Sequence, residues 1–360
     1  MPFWTPRFAG TLQKRPRTRK AGGKVSDAVL QLLRDRQRQG STPGRRTDDA
    51  RLVLLIEGGS SRGAYSSGMT VAIERLGLLP MFDAVYGSSA GALNGAWLLC
   101  GRAESTIHAW WDATIMRGTI DVRRALRRQP VVDTRFLVHT VYTEIMPMGF
   151  QEILHSPVEF HPIATDALTG QAVDLHEQIS DQASLQAALR ASTAMPLLAG
   201  EPIEIGGRRF VDAGVSESVC VRTALAQKAT HIVALRTRRT DETTSVPSRG
   251  VRLLMSRWFA RHAPGAFETW LDGVAVRAQE ELLLASHPAT LQIRPPLGSA
   301  AVGRTERRPN LLRAAVDTGR EAAMDTLAAC VDEVTETTGA AGDPALSPQP
   351  PAAPADQQML

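Results

Sequence analysis

Two short apolar runs, each stopped by glycine and each followed by a helix-competent stretch, constrain this chain more than any other feature. Residues 51–57 (RLVLLIE) end at Gly58-Gly59 and lead into a helical pattern over 64–76; residues 82–86 (FDAVY) end at Gly87 and lead into another over 90–100. A continuous apolar run of strand length suits a strand buried on both faces, and glycine provides the tight turn from which a helix starts. Repetition of that unit predicts an α/β fold with a mostly parallel sheet and helices on both of its faces. Later segments fit the same scheme, with strands at 158–164 and 231–235, helices at 185–190 and 221–227, and a hairpin of 202–205 with 208–211 around Gly206-Gly207. Residues 107–149 read as irregular helices, 249–286 as helix broken at Pro264-Gly265, and 310–334 as a long amphipathic helix after Pro309. These last segments are expected to cover the sheet edges.

The chain has 360 residues, 43% of them apolar and 22% charged. That length and composition allow a large buried core and exclude fibrous and wholly disordered classes. No run reaches the roughly 18 to 20 apolar residues that cross a bilayer, and the first 20 residues lack the apolar stretch of a secretory signal. Cys100, Cys220 and Cys330 lie far apart with no metal-ligand spacing, so free thiols in a reducing, cytoplasmic setting are expected, without a bound metal or cofactor. The net charge of +4 is unevenly placed: residues 1–51 carry 13 Lys or Arg against 4 Asp or Glu. Residues 1–48 are therefore read as a basic flexible arm, 49–338 as the folded domain with its helical cover, and 339–360, rich in Ala and Pro, as a disordered tail. Within the arm, residues 25–38 carry Val29, Leu30, Leu32 and Leu33, enough for one short amphipathic helix. Residues 10–50 contain no aromatic residue to interleave with the cations, which speaks against nucleic acid. Peripheral contact with an anionic membrane suits the arm better, with Phe3, Trp4 and Phe8 as anchors.

Three local patterns carry chemistry. Gly87-Ser88-Ser89-Ala90-Gly91 has the form G-x-S-x-G at a strand-to-helix junction. A nucleophilic serine must protrude from a sharp turn, which needs small neighbours, and the helix N-terminus places a partial positive charge beside an anionic intermediate. Glu57-Gly58-Gly59-Ser60-Ser61-Arg62-Gly63 is a glycine-rich turn whose exposed amides suit either a phosphate or an oxyanion. It has no Gly-Lys-Ser/Thr for a P-loop and lacks the spacing of a dinucleotide fingerprint. Phe210-Val211-Asp212-Ala213-Gly214 puts an aspartate at a strand end, where burial would raise its basicity. The first and third patterns also have a purely structural reading: close helix packing for the one, a turn-capping aspartate for the other.

In their order along the chain, the three patterns resemble the patatin-like phospholipase family, whose members share G-G-G-x-R/K-G, G-x-S-x-G and D-G-G/A. The likeness covers roughly residues 51–236 and includes Ala164-Thr165-Asp166 and Ala191 to Pro196. It implies a three-layer α/β/α fold and a serine acyl hydrolase acting on lipid esters, phospholipase A-like or lysophospholipase-like, without a catalytic histidine. Carried onto this chain, Ser89 would be the nucleophile and Asp212 its base. Gly59 and Ser60 would donate to the oxyanion, Arg62 would hold that loop or face lipid phosphate, and Gly58, Gly63 and Ala90 would complete the oxyanion and substrate-binding set. Two positions depart from the family pattern: Ser60 stands where the third glycine is usual, and Ala213 where glycine is more common. A side chain at position 60 disfavours positive φ.

Two other functions fit the same residues. A Ser-His-Asp esterase would draw on His262 or His287, both in or at the end of expected helices. A lipid-binding module that kept the fold and lost turnover would follow if Ser60 misdirects the loop. The stripe Leu253, Leu254, Trp258 and Phe259 suits either a lid or ordinary cover, and Trp97, Trp110 and Trp111 suit core better than an acyl groove.

Overall fold

The computed structural model describes residues 23–243 and 246–331. Eight strands form one sheet: β1 Leu52–Ile56, β2 Ala84–Ser88, β3 Glu159–Asp166, β4 Ala172–Asp174, β5 Ile203–Ile205, β6 Arg208–Asp212, β7 His231–Leu235 and β8 Thr290–Ile293. The spatial order is β5-β6-β3-β2-β1-β7-β8, with β4 paired to β3. The central five, β3-β2-β1-β7-β8, run parallel, and β4, β5 and β6 add an antiparallel edge.

Alternation along β1 divides the core in two. Leu52, Leu54 and Ile56 face one side, where they pack with helices α1 (Gly23–Arg38), α2 (Gly63–Arg75), α3 (Ala90–Leu99), α4 (Gln182–Ser192) and the late helix α8 (Pro309–Leu327). Val53 and Leu55 face the other, against α5 (Val221–Ala226) and α7 (Gly273–Ser286). The mostly parallel α/β sheet with helices on both faces is therefore present. Between β7 and α7 stands α6 (Arg249–His262), whose Met255 and Phe259 pack on Val211 and Val215, beside the end of β6. Helix α8 lies against α2 so closely that a Cβ on Gly68 would sit 1.9 Å from the Val316 oxygen, and one on Gly319 2.0 Å from the Tyr65 oxygen.

The expected arm needs correction. Residues 1–22 lie outside the described residues, as does the expected tail at 339–360, but 23–48 belong to the folded body. Val29 and Leu33 of α1 are fully buried in the main core. Arg36 is buried too, paired with Asp48 at 2.7 Å and Asp83 at 2.8 Å, and it donates to the Met81 and Ala50 carbonyls at 2.6 Å each. One guanidinium thus ties α1 to the segments that lead into β1 and β2, and its burial is tolerable because every donor meets an acceptor. At its other side α1 touches the last described turn, where Arg34 Nε donates to the Ala329 carbonyl at 2.8 Å and Cys330 Sγ lies 3.7 Å from the Leu30 oxygen.

Strand β8 has no counterpart among the expected strands. The strands expected around 51–57, 82–86, 158–164 and 231–235 are β1, β2, β3 and β7, and the hairpin is β5–β6.

Candidate active site

Ser89 joins β2 to α3 with φ 54° and ψ −125°, a strained conformation that throws its side chain clear of both elements. The strain is held by close packing: a Cβ on Gly91 would come within 2.1 Å of the Ile56 oxygen, so only glycine lets α3 start against β1. The Ser89 amide donates to Ser192 Oγ at the end of α4, 2.9 Å away, which pins the elbow from a second direction.

The hydroxyl of Ser89 donates to Asp212 Oδ2 at 2.7 Å, across 123 residues of sequence. Asp212 closes β6 and is itself fixed on three sides. Its Oδ1 accepts the Gly214 amide at 2.8 Å, its carbonyl accepts the Thr165 hydroxyl at 2.9 Å, and its amide donates to the Ala194 carbonyl at 2.9 Å. Both residues are about 94% buried, with exposures of 6% each. Burial pushes the Asp212 carboxyl up to about 6, against the opposing pull of the Ser89 hydroxyl, the Gly214 amide and the positive charge of Arg304.

Residues 57–63 run directly beside this pair. Gly58 packs against the elbow, where a Cβ would be 2.5 Å from the Ser88 oxygen and 2.9 Å from Ser89 Cβ. Gly59 has φ 144°, and Ser60 sits at φ 55°, so the position that departs from glycine does adopt the left-handed conformation. A serine there costs roughly 1 kcal/mol relative to an unstrained backbone and leaves its amide in place. Among the described residues no backbone acceptor takes the Gly59 or Ser60 amide, whereas the Ser61 amide donates to the Arg304 carbonyl and the Arg62 amide to Gly59. Gly63 opens α2 against Ala90, where an added Cβ would stand 2.7 Å from that of Ala90. The Arg62 guanidinium is largely buried and held down to about 10, by burial first and then by the charges of Arg238 and Arg304. All eight residues singled out from the sequence therefore meet in one place.

A narrow cavity of about 100 Å³ opens on Ser89, Ala90 and Ser60 and is walled by apolar side chains, among them Leu93, Trp97, Ile115, Met116 and Tyr142. Trp97 and Trp110 line it while also packing into the core, so the two readings of these tryptophans are both realised.

The histidines considered for a triad are elsewhere. His287 lies just before β8, at the opposite end of the sheet from Ser89, and contacts Thr290 Oγ1 at 3.1 Å; His262 stacks on Trp258. Four supporting residues were not foreseen from the sequence. They are Ser192 at the Ser89 amide, Arg304 under Ser61, Thr237, whose hydroxyl donates to the Gly58 carbonyl at 2.6 Å, and Glu57, which accepts from Arg236 Nε at 3.0 Å and the Thr237 amide at 2.8 Å. Of these, Ser192 and Glu57 carried a sequence signal, through their places in the Ala191 to Pro196 stretch and at the head of the glycine-rich turn. Among the described residues, no group of three or more His, Cys, Asp or Glu is placed to hold a metal ion.

The family model described as patatin-like phospholipase matches residues 54–225. The uncharacterized protein YjjU of Escherichia coli (strain K12) is 26% identical over 227 residues, which are 61% of this chain and 57% of that protein. Lysophospholipase NTE1 of Debaryomyces hansenii is 24% identical over 270 residues, 69% of this chain and 16% of that protein. The chain thus spans less than two thirds of the length of either curated relative. Among solved structures, VipD from Legionella pneumophila aligns at 13% identity with a TM-score of 0.43, over 78% of this chain and 67% of that one.

Proposed function

We propose, from the match of residues 54–225 to the patatin-like phospholipase family model, that the chain is a serine hydrolase of lipid acyl esters, of phospholipase A or lysophospholipase type, working through a Ser89–Asp212 dyad. The observation that carries the reading is the 2.7 Å hydrogen bond from a strained, buried serine to a carboxylate whose basicity burial has raised.

In the proposed cycle, Ser89 Oγ attacks the ester carbonyl while Asp212 Oδ2 accepts its proton. The negative charge that develops on the carbonyl oxygen is met by the Gly59 and Ser60 amides, each such donor contributing about 2.7 to 4 kcal/mol in the transition state. Collapse of the tetrahedral intermediate expels the alcohol, which takes the proton from Asp212. A water deprotonated by the same carboxylate then attacks the acyl-serine and releases the fatty acid. The acyl chain occupies the apolar cavity beside Ser89, each buried methylene adding about 0.8 kcal/mol of binding.

Contact with an aggregated lipid surface belongs to this reading. Residues 1–22, with six Lys or Arg and no Asp or Glu, remain the basic segment proposed to meet an anionic membrane. The start of α6 adds apolar area on the side of the molecule where α6 covers β6: Val251, Leu253 and Leu254 are 46%, 55% and 50% exposed, and Arg249 and Arg252 stand among them. No helix among the described residues is long and apolar enough to cross a membrane.

The test is labelling by a fluorophosphonate probe alongside a panel of chromogenic acyl esters and phospholipids. Labelling of the native chain, absent in Ser89→Ala and strongly slowed in Asp212→Ala, together with ester turnover that every His→Ala variant retains, is the expected result. An unreactive Ser89 would leave only the lipid-binding module.

A further inference from the structure

One wall of the acyl cavity continues outward into a loop that neither the core nor the Ser89–Asp212 pair uses. Its two stems are joined by an antiparallel bridge between Ile120 and Val132, where the Asp121 amide donates to the Val131 carbonyl at 2.9 Å and the Asp133 amide to the Thr119 carbonyl at 2.8 Å. Thr119 and Ile120 on one stem, and Val132 and Thr134 on the other, line the cavity that opens on Ser89. Residues 122–130, which the bridge closes off, are all exposed except the half-buried Arg124, so the loop stands out into solvent from the cavity wall. It has a defined shape. Asp121 accepts the Arg123 amide at 3.0 Å and starts a short 3-10 helix over Val122–Arg127, which Arg128 ends in the left-handed conformation at φ 54°.

Leu126 is 89% exposed, more than any other large apolar side chain among the described residues, and Val122 is also exposed. Residues three apart share a face of a 3-10 helix, so Leu126 stands beside Arg123, whose side chain is 78% exposed. The neighbouring segment repeats the feature. The Val132 amide donates to the Leu198 carbonyl at 2.9 Å, and the preceding Leu197 is held at φ 69°, a strained conformation for leucine, yet stays 37% exposed. Charge accompanies the apolar side chains: residues 117–135 carry six arginines and two aspartates. Both aspartates are engaged, Asp121 by Arg123 at 3.0 Å and Asp133 by Arg124 at 4.0 Å and the Phe136 amide at 2.8 Å. Arg127 and Arg128 are exposed and meet no carboxylate among the described residues. An anionic lipid surface satisfies both kinds of side chain at once, taking the leucine below the headgroups and the guanidinium groups at the phosphates.

We propose that residues 121–131, with Leu197 beside them, dock the molecule on an anionic lipid surface and turn the wall of the acyl cavity toward the bilayer. An acyl chain then passes from the lipid layer to Ser89 along the stems of the docked loop. The proposal rests on the lipid-ester reading for its purpose, but docking itself requires no turnover at Ser89.

The experiment follows co-sedimentation of the full chain, carrying Ser89→Ala so that no lipid is consumed, with vesicles of phosphatidylcholine alone or mixed with phosphatidylglycerol. Adding Arg127→Gln with Arg128→Gln should weaken binding to the mixed vesicles about tenfold or more at low salt, the scale set by two cations near an anionic surface, and less at high salt. Leu126→Ser should weaken it about fivefold or more at either salt. These side chains are exposed, so Tm should hold in each variant. Arg45→Gln with Lys228→Gln removes two exposed cations before β1 and β7, at the opposite end of the sheet from Ser89, and should stay within about twofold of the parent. A polarity-sensitive dye on Leu126→Cys, selective because Cys100, Cys220 and Cys330 are buried, should shift to the blue with mixed vesicles, and the same dye on Lys228→Cys should not. No binding to mixed vesicles, equal losses in the loop and control pairs, or a dye at position 126 that stays in water overturns the proposal. None of these readouts uses the dyad, so an unreactive Ser89 with loop-dependent binding leaves the docking surface standing, and a reactive Ser89 with loop-independent binding removes the surface alone.

Discussion

The burial that raises the basicity of Asp212, the proposed base, also destabilises the fold. Its carboxyl titrates at about 6 in the folded chain and near 4 when unfolded. Between those values the folded state holds the extra proton, so stability falls as pH rises through the window from about 4 to 6, by about 3 kcal/mol in total. Asp212→Asn should therefore raise Tm at pH 8 and leave it nearly unchanged at pH 4, while lowering kcat at least about 100-fold. Equal shifts at both pH values would show that the charge is not the cause. In the native chain, kcat/KM should climb about tenfold per pH unit below 6 and then level off as the ionised base becomes fully populated. Ser89 and Asp212 were legible because each is announced locally, by small residues around a serine and by a strand that stops at an acid. Arg304 and Thr237 were not, since a carbonyl or hydroxyl that props a loop from far away leaves no pattern near the loop it serves.

Strands β1, β2, β3 and β7 were legible for a related reason: a parallel strand buried on both faces must be a continuous apolar run. Strand β8 escaped because Thr290–Ile293 is only four residues long and contains a glutamine, whose side chain accepts from Arg236 and Arg294. Helix α6 settles the choice between lid and cover in two halves. Phe259 and Met255 are cover, while Leu253 and Leu254, just before Met255 in sequence, are half-exposed. Leu253→Asp with Leu254→Asp should reduce turnover of an ester presented in anionic vesicles several-fold and leave a soluble short-chain ester unaffected; equal effects on both substrates would mean a structural defect. The α2–α8 contact makes a different demand. Gly319→Ala places a methyl group 2.0 Å from a backbone oxygen, so the helices must move apart, and a loss of about 1 to 3 kcal/mol in unfolding free energy is expected from chemical denaturation.

For the molecule as a whole, the basic composition of the first 48 residues hid a boundary. Arginine reads as solvated in a sequence, yet Arg36 is a buried clamp, and only the positions of Asp48 and Asp83 in space reveal it. Deletion of residues 1–22 should leave Tm unchanged and weaken binding to anionic vesicles in a salt-sensitive way. Deletion of 1–48 should lower stability by at least about 3 kcal/mol, because Val29 and Leu33 leave the core and Asp83 loses its partner. Vesicle binding that is identical before and after the shorter deletion would remove these residues from any membrane role.

The contacts of α1 fall into two sets that become available at very different moments of synthesis. Arg36 finds Asp48 and Asp83 within 12 and 47 residues, so the ribosome has scarcely moved on before that clamp can close. Arg34 must wait for Ala329, 295 residues later, which at 5 to 20 residues per second is roughly 15 to 60 s. The flank of α1 that meets Ala329 therefore stays uncovered for tens of seconds after the partners of its arginine clamp have been made.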